Sequence, residues 1–564
     1  MVSYDTNYVI SYNGEVYNFK KLRKKLIKLG YEFKSQTDSE VVLNAWSEWG
    51  QNCVNFLNGM FAFAIWDKKK KTIFLVRDRY GIKPLYYAVF NNIFLFASEQ
   101  KAILTHPTVK KEIDYEAMLE YFTFQNIFTD RTLLKNIKIL PPATIAKIKT
   151  YDSASISFST YWDYHFEEPE INADPKEYRE ELSRLIEKAV KRQLVTDVEL
   201  GSYLSGGMDS GTLTALASKN LPYIKTFTCG FDLSSASGLE LSFDERDKAE
   251  AMSAYFKTEH YEMILKAGDM ERCLPKLAYH LEEPRVGQSY PNYYAAQLAS
   301  KFVKVVLSGG AGDELFGGYP WRYYRGVGSI DFNDYIEKYY LFWQRLIDNK
   351  DLKKVFSPVW NEVQDVWTQD IFKNIYLKHK NKLKTPEDYI NHSLYFEAKT
   401  FLHGLLVVED KLSMANSLET RVPFMDNDLV DFAMKCPVNL KLNKLSEVIR
   451  LNENEHGDKK TKYFNKTNDG KQILRDVMKE YIPSSVIKAE KQGFSSPDAS
   501  WFKGESIEFV RKNLFDKNAH IYEFMDINQV KVLVNSHLNG KKNRRLLIWS
   551  LLNVNEYLKG LDSI

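Results

Sequence analysis

Cysteine is scarce in this chain: Cys53, Cys229, Cys273 and Cys436 are the only four in 564 residues. They show neither C-x-x-C spacing nor a regular framework, which excludes a disulfide scaffold and fits a reducing cytoplasm. No apolar run reaches the roughly 20 residues that a membrane helix requires. Residues 1–12 carry Asp5 and Asn7 where a signal peptide would have its apolar core. A one-signed charge balance is missing too: 77 Lys and Arg face 74 Asp and Glu, for a net charge of +3. Nothing in that balance argues for nucleic acid as a partner. The short Lys clusters at 20–28 and 68–71 read as solvated faces. The expectation is a cytoplasmic protein with no membrane and no nucleic acid among its partners.

With 44% hydrophobic and 27% charged residues, the chain has the composition of a folded soluble protein, and its length implies two to four domains. The first part predicts a strand over 8–12 ending at an Asn13-Gly14 turn, and a helix over 20–29 closed by Gly30. A second helix follows, with a Thr37/Glu40 capping box at its start and Gly50 at its end. Phe-, Tyr- and Ile-rich strands over 60–66, 72–77, 85–89 and 93–97 then suggest an antiparallel sheet layered with helices. The strand at 8–12 must pair with something, and its neighbours are expected in sequence that precedes it. Two prolines in the acidic stretch 167–175 place a boundary there. From 176 onward helix and strand alternate, as in a parallel doubly wound sheet. Strands are expected at 200–204, 226–230, 261–265 and 303–307, and a mostly helical remainder beyond 319. The polar stretch 452–470 reads as an exposed excursion.

Two glycine loops carry the chemistry. After the first strand, which ends at Leu204, comes Ser205-Gly206-Gly207-Met208-Asp209-Ser210, opening a helix. Gly206 and Gly207 present backbone N–H groups without obstruction, and the helix start adds its positive end. Ser205 and Ser210 supply hydroxyls for phosphate oxygens, and Asp209 can hold Mg2+ through oxygen. The second loop, Ser308-Gly309-Gly310-Ala311-Gly312-Asp313-Glu314, also follows an apolar strand. It faces the same crevice, with Ser308 and Gly309 at the phosphates and Asp313 as a second metal ligand. Cys229 and Gly230, at the end of a third strand, are placed to touch a purine.

Taken together these residues resemble the glutamine-dependent asparagine synthetase family. Glu409-Asp410-Lys411-Leu412-Ser413-Met414 and the segment 418–426 look like the family's acceptor site. Lys491-Gln492-Gly493-Phe494 looks like the segment whose Lys stabilises phosphate charge during adenylation. Earlier in the chain, the segments 12–18, 57–63 and 77–87 are similar to class II glutamine amidotransferase signatures. The resemblance implies a truncated N-terminal nucleophile-type antiparallel αββα domain over 1–165. A doubly wound ATP-pyrophosphatase domain over 175–564, with a helical C-terminal part, follows it. It implies ATP and Mg2+ as cofactors, and aspartate with glutamine or ammonia as substrates, released as asparagine, AMP and pyrophosphate. A homodimer is the assembly to test. In roles, Asn13 and Gly14 form an oxyanion hole, and Asn13, Glu15 and Asp38 hold glutamine. Glu419 and Arg421 bind the acceptor, and Lys491 is catalytic. Simpler readings stand beside these: helix-start chemistry for Asp38, an internal ion pair for Arg421, a surface side chain for Lys491.

Two departures matter. The family's nucleophile is a Cys at the mature N-terminus, whereas residue 2 here is Val2, and Cys53 reads as structural. The expectation is that this polypeptide cannot hydrolyse glutamine but can use free ammonia. The second departure is Gly310, where asparagine-making relatives usually carry an acid implicated in adenylate formation. That change favours another acceptor, such as a surface-polysaccharide sugar acid. A non-catalytic subunit partnering a complete synthetase is the alternative from outside the enzymes.

Overall fold

The computed structural model describes residues 1–150, 152–170, 174–377, 383–445, 469–488 and 495–561. The first part is built from β1 (Tyr8–Val16), β2 (Gly59–Asp67), β3 (Thr72–Arg77), β4 (Tyr86–Phe90), β5 (Ile93–Ala97), β6 (Ile137–Ile139), β7 (Thr144–Lys149) and β8 (Asp152–Thr160). They form two antiparallel sheets, ordered β1-β2-β3-β7-β8 and β5-β4-β6. The period-two alternation along β2 separates the layers. Phe61, Phe63 and Ile65 pack with Leu22, Leu26, Val42 and Trp46 of the helices Phe19–Lys28 and Asp38–Trp49. The intervening Ala62 and Ala64 face the second sheet, meeting Tyr87, Leu140 and Ala146. On that sheet's far side Tyr86, Ala88, Ile137 and Ile139 pack on the helices Gln100–Leu104 and Tyr115–Phe124. The layering is therefore helix, sheet, sheet, helix.

The second part holds a parallel sheet of β9 (Leu200–Tyr203), β10 (Lys225–Phe231), β11 (Glu259–Leu265), β12 (Val305–Leu307) and β13 (Glu419–Arg421), ordered β11-β10-β9-β12-β13. Both faces are covered. Val305 and Leu307 pack with Leu182, Ile186, Leu213 and Leu216 of the helices Pro175–Gln193 and Met208–Ser218. Val306 faces the other way, with Ala296 and Ala299 of the helix Tyr290–Ala299. Strand order reverses between β9 and β12, and a crevice opens beyond their C-terminal ends, as it does in open α/β sheets. The two parts join through polar contacts: Lys83 Nζ to Asp410 at 2.7 Å, Tyr80 OH to Asn427 Oδ1 at 3.0 Å, and Asn58 Nδ2 to Asp426 Oδ2 at 3.2 Å.

Some expectations are corrected. Asn13-Gly14 is not a turn: β1 runs through it, with Asn13 opposite Ala62 and Gly14 opposite Phe61. Close backbone approach explains the glycines. A Cβ on Gly14 would lie 2.3 Å from the Met60 carbonyl oxygen, and one on Gly59 would lie 2.1 Å from that of Glu15. Sheet pairing overrides the local turn preference. At the outer edge of β1, Val2 bridges Val9 and the Met1 amine donates to the Ile10 carbonyl at 2.9 Å. The capping box is half formed. Thr37 accepts from the Glu40 N–H, but the Glu40 carboxylate accepts from the N–H groups of Lys34 and Ser35. The stretch 452–470 lies outside the described residues up to 468, and Asp469 is buried, not exposed.

Candidate active site

Leu204 follows directly on β9, and its N–H donates to the Phe227 carbonyl at 3.0 Å. At Gly206 the chain turns with φ +75°, and a Cβ there would lie 2.7 Å from the Lys248 side chain. Gly207 then caps the helix Met208–Ser218 without a side-chain bond, which leaves its first N–H groups for a ligand. The Ser210 hydroxyl closes the loop: it accepts from the Ser205 N–H at 3.1 Å and donates to the Gly207 carbonyl at 3.2 Å.

The second loop leaves β12 beside it. Ser308 N–H donates to the Arg421 carbonyl at 2.8 Å, and its Oγ accepts from the Gly310 N–H at 3.3 Å. The two loops touch. A Cβ on Gly309 would lie 2.9 Å from the Ser210 nitrogen, and one on Gly312 would lie 2.5 Å from Asp209 Oδ1. Gly318 has the same role behind Asp313, where a Cβ would sit 2.0 Å from its Oδ1. These glycines are required by packing rather than by backbone conformation. Gly312→Ala is expected to cost about 1–3 kcal/mol of stability, the range for overpacking, and to separate Asp209 from Asp313. Thermal unfolding and nucleotide binding measured on that variant check it, and unchanged values for both would contradict the contact.

Asp209 and Asp313 converge on one cation. Lys471 Nζ lies 2.6 Å from Asp209 Oδ2 and also pairs with Asp313 Oδ1. All three side chains are largely buried, Lys471 at 4% exposure. Two carboxylates this close, facing a cavity beside two glycine loops, form a donor set suited to a divalent cation carrying phosphates. Sequence reasoning missed Lys471. The available signal was Asp469-Gly470-Lys471 opening the helix Gln472–Met478 at the end of a polar run.

The loops border a cavity of about 710 Å³, which Leu204, Ser205, Asp209, Ser210, Cys229, Ser308, Gly309 and Asp313 line, together with Glu409. Gly206 and Gly207 belong to the first loop but are not among the residues lining the cavity. Cys229 contributes as an inert apolar wall, because burial pushes its thiol up to about 12. Glu419 and Arg421, expected at the acceptor, are not among the residues lining this cavity. The Arg421 guanidinium donates to the carbonyls of Gln193 and Val195 at 2.7 Å each and to Glu419 Oε1 at 2.7 Å. It ties β13 to a helix C-terminus and approaches Glu15 at 3.9 Å. The cationic side chains lining the cavity are Lys248, Arg322, Arg345 and Arg545. Lys491 lies outside the described residues.

In the antiparallel part, Asp38 Oδ2 accepts from Tyr12 OH at 2.6 Å and from the Val16 N–H at 2.9 Å. Asn13 Nδ2 donates to Ser98 Oγ at 3.2 Å. Burial, with Asp38 adding to it and Arg421 opposing it, raises the Glu15 carboxyl to about 7. Asn13, Gly14, Glu15 and Asp38 thus cluster around the end of β1. The segment 77–87 proves architectural. Arg77 donates to the carbonyls of Lys83, Leu140 and Gly81, and Asp78 accepts N–H bonds from Phe61, Tyr80, Ile82 and Lys83.

The comparisons with known proteins agree with this arrangement. The Asparagine synthase family model matches residues 181–559, and the Glutamine amidotransferase domain model matches residues 1–162. The chain is 31% identical over 577 residues to asparagine synthetase [glutamine-hydrolyzing] 1 of Bacillus subtilis (strain 168), covering 97% of this chain and 85% of that relative. It is 29% identical over 555 residues to asparagine synthetase [glutamine-hydrolyzing] 3 of the same organism, covering 93% and 82%. Among the described residues no helix is long and apolar enough to cross a membrane. The chain belongs to the asparagine synthase family, in which a glutamine amidotransferase domain accompanies a domain for ATP-dependent amidation.

Proposed function

We propose that this protein activates a carboxylate with ATP as an acyl-adenylate and converts it to the amide with ammonia, releasing AMP and pyrophosphate. Aspartate is the leading acceptor. The observation that carries the reading is the contact between the two glycine loops, which brings Asp209 and Asp313 together beside the start of a helix that has no side-chain cap. Backbone N–H groups of both loops and the Ser205 and Ser308 hydroxyls take the phosphate oxygens, by positioning and charge neutralisation. Asp209 and Asp313 would hold Mg2+, which supplies charge neutralisation at the pyrophosphate. The base lies toward Cys229, and Lys491 has the role that the family resemblance implies, stabilising phosphate charge during adenylation. The proposed units are 1–165 and 175–564, in a cytoplasmic homodimer.

The test is pyrophosphate release by the chain with ATP, Mg2+ and ammonium, comparing aspartate with glucuronate and galacturonate. Aspartate-dependent release supports the leading reading. Release with a uronate alone supports the second, which Gly310 and the Arg322–Arg345 side of the cavity favour. No release with any of these acids counts against both.

The four cysteines carry no reactive thiol. All four are buried and free, and burial raises the thiols of Cys53, Cys229, Cys273 and Cys436 far from the reactive range. None of these four thiols is proposed as a glutaminase nucleophile: Ser in place of each is expected to leave any glutamate release from glutamine within twofold of wild type, and its loss in one of them would overturn that expectation.

A further inference from the structure

The proposed reaction needs a proton acceptor, since ammonia loses a proton as its nitrogen becomes an amide. Asp209 and Asp313 are committed to Lys471. The helix His403–Met414 supplies another carboxyl. It follows a π-turn at Ala398–Leu402, and its Leu402, Leu405, Leu406, Glu409 and Ser413, at helical spacing, line the cavity. Three successive charges on this helix go three ways. Lys411 pairs with Glu282 at 2.5 Å, and Asp410 pairs with Lys83 of the amidotransferase part at 2.7 Å. Glu409 turns into the cavity. Its carboxylate reaches the second loop, for a Cβ built on Gly310 would lie 3.4 Å from Glu409 Oε2 and 3.7 Å from Ser308 Oγ. The Glu409 carboxylate thus lies in ordinary contact distance of the Gly310 position.

We propose that Glu409 is a catalytic residue of the amidation step, accepting the proton that the attacking ammonia gives up. The ammonia lone pair forms the C–N bond, the acyl C–O bond to AMP breaks with its electron pair leaving on the phosphate, and the N–H proton passes to the Glu409 carboxylate. The placement suits a general base, because Glu409 is next to the residue that contacts the amidotransferase part and faces the loops that hold the activated acid. Burial, with Asp410 adding to it and Ser308 opposing it, raises its carboxyl to about 7, so that it can both take and return a proton near neutrality.

This inference rests on the proposed function, and one experiment separates them. Pyrophosphate and amide are measured together with ATP, Mg2+, ammonium and either aspartate or glucuronate, for the wild-type chain, Glu409→Gln, Glu409→Ala and Glu409→Ala/Gly310→Glu. Glu409→Gln should lower amide formation about 10²–10⁴-fold, the usual share of a general base, with pyrophosphate release falling far less. Gly310 has no left-handed backbone, so a side chain there is tolerated once Glu409 is truncated. The double variant, delivering its carboxyl from the loop, should recover at least tenfold over Glu409→Ala. Amide formation within twofold of wild type in Glu409→Gln, an equal fall in pyrophosphate and amide, or no recovery in the double variant would overturn the inference alone. No wild-type pyrophosphate with either acid would overturn the proposed function and the inference with it.

Discussion

Asp209→Ala is expected to lower carboxylate-dependent pyrophosphate release by about 10²–10³-fold or more, the cost of removing one preorganised electrostatic group from a reaction site. Asp209 is unusual in that both loops depend on it. It sits in the first turn after Gly207, its carboxylate packs against Gly312 of the other loop, and it accepts from Lys471. Its removal deletes one of the proposed metal ligands and leaves Lys471 with Asp313 alone. The fold should survive, because the apolar contacts of the helix Met208–Ser218, through Leu213 and Leu216, are untouched. Release within tenfold of wild type by a folded Asp209→Ala protein would remove the basis for the phosphate site.

Lys471→Met should produce the largest stability effect. It leaves the carboxylates of Asp209 and Asp313 facing each other in a largely buried setting with their shared cation gone. Deleting one partner of a buried ionic group typically costs about 3–5 kcal/mol, mostly from the uncompensated charge that remains. A divalent cation placed between the same carboxylates would offset that cost. Lys471→Met should therefore unfold at a clearly lower temperature than wild type in EDTA and regain much of the difference with Mg2+, while wild type responds less. A melting temperature equal to wild type in EDTA, or one indifferent to Mg2+, would contradict the shared-cation account. The readout is thermal unfolding and needs no turnover.

Much of this site is legible in the sequence, and the exceptions have physical reasons. Ser205–Ser210 and Ser308–Glu314 are readable because strand, glycine pair and helix start are local features. That the loops touch is not local: it depends on β9 and β12 being neighbours, with Leu307 opposite Ser202. Lys471 escapes because its meaning comes from Asp209, 262 positions away. Arg421 is ambiguous in the sequence because a basic residue near a predicted site looks the same whether it faces a ligand or caps a helix, and its bonds to the carbonyls of Gln193 and Val195 are visible only in the structure. Asn13-Gly14 reads as a turn by propensity, yet the pairing of β1 with β2 wins. Gly310 reads as a lost acid, whereas the helix His403–Met414 brings the Glu409 carboxylate beside the same loop. The αββα layering follows from strand alternation, since Phe61, Phe63 and Ile65 against Ala62 and Ala64 already separate a helix-facing side from a sheet-facing side.

The central claim is that a carboxylate oxygen attacks the α-phosphate of ATP. Its most direct test uses the acceptor acid that supports pyrophosphate release, labelled with ¹⁸O in its carboxylate, followed by mass spectrometry of the nucleotide and phosphate products. The acyl-adenylate route predicts one ¹⁸O atom transferred to AMP and none to pyrophosphate. Label in inorganic phosphate with ADP as the nucleotide product, or amide formed with no label in AMP, would contradict it.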